Sequence, residues 1–130
     1  MPFPDEDDIS LGASLKRRRL ALEFTQGDTA QHFGILKDSY QKWEWNENVP
    51  EISLRKEVVI FLGFNHWNDG SGSLANKVLL YRIEHGLTRM ELGKLIGVSD
   101  SSIERIEKRR CSVSKKMKVR IIEYIENQFN

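Results

Sequence analysis

Only one cysteine occurs in the 130 residues, so no disulfide can close within the chain, and Cys111 is read as a thiol in a reducing compartment. Long apolar runs are also missing. The longest, Val58 to Leu62, is five residues, far short of the roughly 20 that a membrane-spanning helix needs. Met1 to Ser10 has neither the basic start nor the apolar core of a signal peptide, which predicts a cytoplasmic protein without a membrane partner. Neither charge sign dominates, with 20 Lys and Arg against 19 Asp and Glu, and this excludes a uniformly basic binder. Proline is scarce at three residues, which leaves room for helices.

The near-zero total hides an uneven arrangement. Residues 1–70 carry 8 basic and 12 acidic side chains, a net of −4, whereas residues 71–130 carry 12 and 7, a net of +5. Much of the N-terminal deficit lies in Asp5, Glu6, Asp7 and Asp8, an acidic tail over residues 1–9 read as mobile and solubilising, with autoinhibition as its lesser role.

Sliding the chain against itself by 63 positions aligns residues 10–64 with 73–127 without a gap. Ser10/Ser73, Leu11/Leu74, Arg19/Arg82, Thr25/Thr88, Gly34/Gly97, Ser39/Ser102 and Glu44/Glu107 are identical. Apolar classes agree as well, as in Tyr40/Ile103, Trp43/Ile106 and Val58/Ile121. Between the copies, residues 65–73 have the Gly, Ser, Asn and Asp content of a linker, giving a first module over 10–64 and a second over 74–130. Trp67 is the exception in the linker and is expected to pack on the first module.

Each copy reads as four short helices. Ser10 caps a helix running to about Glu23 with Leu11, Leu15 and Leu22 along one stripe. Thr25 with Asp28, and Thr88 with Glu91, have the capping-box spacing that starts a second helix. Gly34 and Gly97 end it by adopting the left-handed conformation. A third helix spans about 37–45 in the first copy and 100–107 in the second, and Ser99 caps the latter while Leu36 leaves the former uncapped. Pro50 breaks the chain before a fourth helix, about 51–62.

This order, with Trp43-Glu44 or Ile106-Glu107 ending the third helix, resembles the helix-turn-helix family of phage repressors and Xre-like regulators. In the first copy the resemblance rests on Arg19, Thr25-Gln26, Ala30, Phe33-Gly34-Ile35, Ser39, Trp43-Glu44 and Pro50. In the second it rests on Arg82, Gly86-Leu87-Thr88, Leu92, Leu95-Ile96-Gly97-Val98-Ser99, Ile103 and Ile106-Glu107. It implies an all-α fold of two tandem bundles, each a lambda-repressor-like domain, and sequence-specific binding of double-stranded DNA as a transcriptional regulator. Departures from the pattern are Thr29, His32 and Leu36 in the first copy and Gly93 and Arg89 in the second.

Carried onto these positions, the family's third helix enters the major groove. Lys37, Asp38, Gln41 and Lys42 then face bases, with Gln26 and Ser39 beside phosphate. In the second copy the same places hold Asp100, Ser101, Glu104 and Arg105, with Arg89 and Ser102 beside phosphate. Lys108, Arg109, Arg110, Lys115, Lys116 and Lys118 follow as candidates for phosphate neutralisation, opposed by the carboxylates of Asp100 and Glu104. Arg19 with Glu44, and Arg82 with Glu107, are structural ion pairs in this reading, because an Arg fork suits a carboxylate and would fix the third helix.

An enzyme is not expected, since no Gly-rich phosphate loop, nucleophile elbow or paired acid site stands out. His32, His66 and His85 are isolated and lack zinc-site spacing, so neither metal nor cofactor is implied. No sensory region remains beyond the two modules, which argues against a small-molecule ligand. Two partners besides DNA stay open: a second copy of the chain, and another protein docking on a helix-turn-helix scaffold used as an adaptor.

Overall fold

Every regular element among the residues that the computed structural model describes, 3–109 and 113–127, is an α-helix. Arg110 and Cys111 lie outside the described residues. The elements are α1 (Leu11–Ala21), α2 (Gln26–Phe33), α3 (Lys37–Glu44) and α4 (Ile52–Leu62), then α5 (Leu74–His85), α6 (Arg89–Ile96), α7 (Asp100–Glu107) and α8 (Lys115–Asn127). The chain divides into two units, residues 1–66 and 67–130, with four helices in each. No helix of the described residues is long and apolar enough to cross a membrane.

Local chemistry sets the helix starts. Ser10 and Ser73 accept from the backbone amides of Ala13 and Asn76. Thr25 and Thr88 form reciprocal capping boxes with Asp28 and Glu91, each satisfying two amides that the helix leaves unpaired. Ser99 caps α7 by accepting from Ser102, whereas Leu36 occupies the same backbone geometry before α3 and offers no acceptor.

The first helix of each copy ends in the same turn, with a chemical difference. After α5, Gly86 sits left-handed at φ 65°, and Leu87 donates back to the Arg82 carbonyl at 2.9 Å. After α1 the same turn is made by Glu23 at φ 60°, with Phe24 donating to Arg19 at 3.0 Å. The expectation that this helix reaches Glu23 is therefore corrected to an end at Ala21, because Glu23 takes a conformation that a side chain adopts only at a cost.

The interiors share one template filled with different side chains. Leu15, Thr29, Phe33, Tyr40, Trp43 and Val58 are buried in the first unit. Their partners in the repeat, Val78, Leu92, Ile96, Ile103, Ile106 and Ile121, are buried in the second. The first core is thus aromatic, with Phe33 edge-on to Trp43 at 5.6 Å and to Phe61 at 5.2 Å. Such pairs add about 0.5–1.5 kcal/mol beyond the area they bury. Thr29, where an aliphatic residue stands in the second copy, satisfies its buried hydroxyl by donating to the Thr25 carbonyl at 3.0 Å.

In the second unit the Trp67 carbonyl accepts from Asn76 Nδ2 at 2.8 Å. In the acidic tail Arg17 donates to the carbonyls of Asp5 at 2.9 Å and Asp8 at 2.7 Å, and the Asp5 and Asp8 carboxylates accept from the amides of Asp7 and Ser10.

Candidate nucleic-acid interface

Glu44, the last residue of α3, anchors the candidate surface of the first unit. Its oxygens accept from Arg19 Nε at 2.6 Å and Nη2 at 3.1 Å, and the side chains are 2% and 7% exposed respectively. Arg19 Nη1 also donates to the Phe24 carbonyl at 3.0 Å, so α1, the turn after it and the end of α3 are joined through one residue. Burial pushes the Glu44 carboxyl up, yet the Arg19 hydrogen bond and charge, with a further bond from Gln26, outweigh it and hold the group below the usual range.

From this pair a chain of amides leads outward. Gln26 Nε2 donates to Glu44 Oε1 at 3.2 Å, and Gln26 Oε1 accepts from Gln41 Nε2 at 2.8 Å. Gln41 is half-buried on α3, so its amide is orientated by a series ending at a buried ion pair. Lys37, Asp38 and Lys42 are exposed on α3, and Ser39 is half-buried beside the core residue Tyr40. A cleft of about 680 Å³ opens along this side, with Lys16, Thr25, Gln26, Lys37 and Trp45 on its walls and Glu44 at its base.

Tyr40 is fully buried and its hydroxyl has no hydrogen bond of acceptable geometry among the described residues. Glu44 and Arg19 lie close enough to influence its ionisation all the same. Burial first, then the neighbouring Glu44 carboxylate, push the phenol far above its ordinary value, and it stays neutral.

The second unit builds the same anchor differently. Arg82 Nη1 reaches both oxygens of Glu107 at 2.8 Å, and its Nε donates to the Leu87 carbonyl at 3.1 Å. Arg89 joins in, donating Nε to Glu107 Oε1 at 2.9 Å, so one carboxylate serves two guanidinium groups. Asp100, Ser101 and Arg105 are exposed on α7, and Glu104 accepts from Lys108 at 2.7 Å. Ser102 is buried and shares a hydrogen bond with Ser99 Oγ at 2.9 Å, while Arg109 turns to Asp69 at 3.2 Å and to Ser73.

The two ion pairs read from the sequence are therefore both formed; of the residues selected on the third helices, Lys37, Asp38, Lys42, Asp100, Ser101 and Arg105 are exposed, Ser39, Gln41 and Glu104 are half-buried and Ser102 is buried. Gln26 and Arg89 were expected beside phosphate but are bonded to the buried carboxylates. The signal for this was present: both repeat positions carry a donor close in sequence to the Arg that pairs with that Glu. Lys16 and Trp45 were missed, although Lys16 stands one helical turn before Arg19 and so falls on the same side of α1. Trp45, the residue after α3, is 59% exposed, which is unusual for so large a ring.

Among the described residues no group of three or more His, Cys, Asp or Glu is placed to hold a metal ion. No family model matches the chain, and neither a curated protein nor a solved structure matches it.

Proposed function

We propose that this protein is a cytoplasmic transcriptional regulator that binds double-stranded DNA sequence-specifically, built from two tandem helix-turn-helix bundles of the lambda-repressor kind. The observation that carries this reading is the outward side of α3. Lys37, Gln41 and Lys42 stand on one helix, and a major groove about 12 Å wide admits a helix, whose diameter with side chains is about 10–12 Å. Lys42 is suited to guanine and Gln41 to adenine, by bonds to edges that only the major groove displays. The buried Arg19–Glu44 pair fixes the helix from below, so recognition loses little orientational freedom on binding.

A second reading, an adaptor that docks another protein, is favoured by a specific observation. Leu36 and Trp45, at the two ends of α3, are 76% and 59% exposed, and Val49 is exposed beyond them. Selection of the full chain against random duplex DNA separates the two. Enrichment of a defined motif with salt-dependent affinity supports regulation at DNA, and recovery of no motif transfers the α3 side to a protein partner.

A further inference from the structure

We infer that Gln26 is a positioning residue that fixes which way the Gln41 amide points, and so makes the first unit prefer adenine over guanine at the base pair that Gln41 meets. The inference rests on the DNA-binding reading above. It follows from one property of the series Glu44, Gln26, Gln41: its inner end can only accept hydrogen bonds.

An ionised carboxylate has no hydrogen to give, whereas a side-chain amide carries a donor on its nitrogen and an acceptor on its oxygen. Glu44 is buried and paired with Arg19, which keeps it ionised. Gln26 must therefore turn its nitrogen inward, where Nε2 donates to Glu44 Oε1 at 3.2 Å, and its carbonyl is left for Gln41. Gln41 must in turn present its own nitrogen, and Nε2 donates to Gln26 Oε1 at 2.8 Å. Reversing Gln41 alone sets two carbonyl oxygens together, and reversing both amides sets the Gln26 carbonyl against the carboxylate. A polarity imposed at a buried group is thus carried to the half-buried Gln41 on α3.

Gln41 makes no other hydrogen bond among the described residues, so its carbonyl and its second N–H remain for a ligand. In the major groove adenine displays an acceptor, N7, beside a donor, N6, whereas guanine displays two acceptors, N7 and O6. A carbonyl with one N–H matches adenine in both bonds. Against guanine the carbonyl meets O6, and the amide cannot rotate away from that mismatch while Gln26 holds its nitrogen. An untethered glutamine can rotate and turn both hydrogens outward. Gln26 therefore affects which base is read without touching DNA, unlike a phosphate ligand, whose loss weakens all sequences alike. The second unit shows that a different donor fits this place: Arg89, aligned with Gln26, donates Nε to Glu107 at 2.9 Å. A guanidinium has donors and no acceptor. Gln26→Arg would keep the bond to Glu44 but remove the carbonyl to which Gln41 donates, so the Gln41 amide should reverse and turn its nitrogen outward.

The test selects a duplex with the full chain, then compares affinities for that duplex carrying each of the four bases at each position in turn. All are measured well below the melting temperature of each variant, so that lost affinity is not unfolding. Gln41→Ala should abolish a preference for adenine over guanine at one base pair, which identifies the pair that Gln41 meets. At that pair Gln26→Ala should lower the adenine-to-guanine ratio by about 5- to 100-fold, with preferences elsewhere kept within about twofold. Gln26→Arg should carry the ratio past unity toward guanine, and adding Gln41→Ala should cancel that shift. Equal loss for all duplexes in Gln26→Ala overturns the inference, because Gln26 is then a phosphate contact. An unmoved ratio overturns it too, as does a guanine preference that persists in the double variant, since the new guanidinium then reads the base itself. If the unaltered chain selects no duplex, the DNA reading falls and takes this one with it; a preference that depends on Gln41 but ignores Gln26 defeats this inference alone.

Discussion

Glu44→Ala is the most informative single perturbation of the first unit. It removes the acceptor for Arg19 Nε, Arg19 Nη2 and Gln26 Nε2, leaving a guanidinium that is 7% exposed with one bond, to the Phe24 carbonyl. Breaking a buried pair in this way costs about 3–5 kcal/mol, because the remaining charge is neither hydrated nor compensated. The first unit spans residues 1–66, and at about 0.05–0.15 kcal/mol per residue its whole stability is roughly 3–10 kcal/mol. A large part of that should be lost. At about 4–8 °C per kcal/mol for a domain of this size, the melting temperature should fall by 12 °C or more. Fluorescence of the buried Trp43, followed on heating alongside circular dichroism in a Trp67→Phe background, reports the first unit. Acid adds a check of sign. The folded-state Glu44 pKa is lowered, so its contribution is complete above the unfolded value of about 4.3 and disappears as pH falls through the lower folded value. Glu44→Ala should accordingly flatten the loss of stability in that window. A variant melting within about 2 °C of the parent, with its acid profile unchanged and DNA binding abolished, would assign the pair to recognition instead of structure.

Three further substitutions test the local readings by thermal melting. Leu36→Ser supplies the cap that Ser99 gives α7 in the same backbone geometry, and should stabilise the first unit by about 0.5–2 kcal/mol; no gain would mean that the exposed Leu36 side chain has a packing role. Glu23→Gly relieves the left-handed residue that Gly86 occupies in the second copy and should add about 0.5–1 kcal/mol, whereas destabilisation would show that the Glu23 side chain contributes a compensating interaction. Tyr40→Phe deletes a buried hydroxyl that lacks a partner and should be neutral or slightly stabilising. A loss above about 1 kcal/mol there would reveal a hydrogen bond to Glu44 in solution.

Features legible in the sequence are those whose cause is local. A Thr followed three residues later by Asp or Glu caps its own helix, and Gly34 and Gly97 end theirs, because partner and acceptor lie within one turn of chain. The 63-residue repeat extended this reach by showing which apolar positions recur, and those positions are buried in both units. Contacts that close over many residues escaped the same reasoning. Gln26 and Arg89, read as phosphate ligands at helix starts, each bond a carboxylate 18 residues away, because a buried charge must be compensated by donors that the fold brings near. The two bonds from Arg17 to carbonyls of the acidic tail close over 9 and 12 residues and have no local signal. A linker's composition likewise does not show which neighbouring amide, here that of the Asn76 side chain, will donate to the Trp67 carbonyl. By itself the sequence determined the helices, their caps and the ion pairs that both copies retain, since helix caps act over three or four residues and the repeat doubled the evidence for each pair. Only the tertiary structure decided which cations remain unpaired on α3 and which are neutralised around α7, because charge is compensated through space by whatever group the fold brings near.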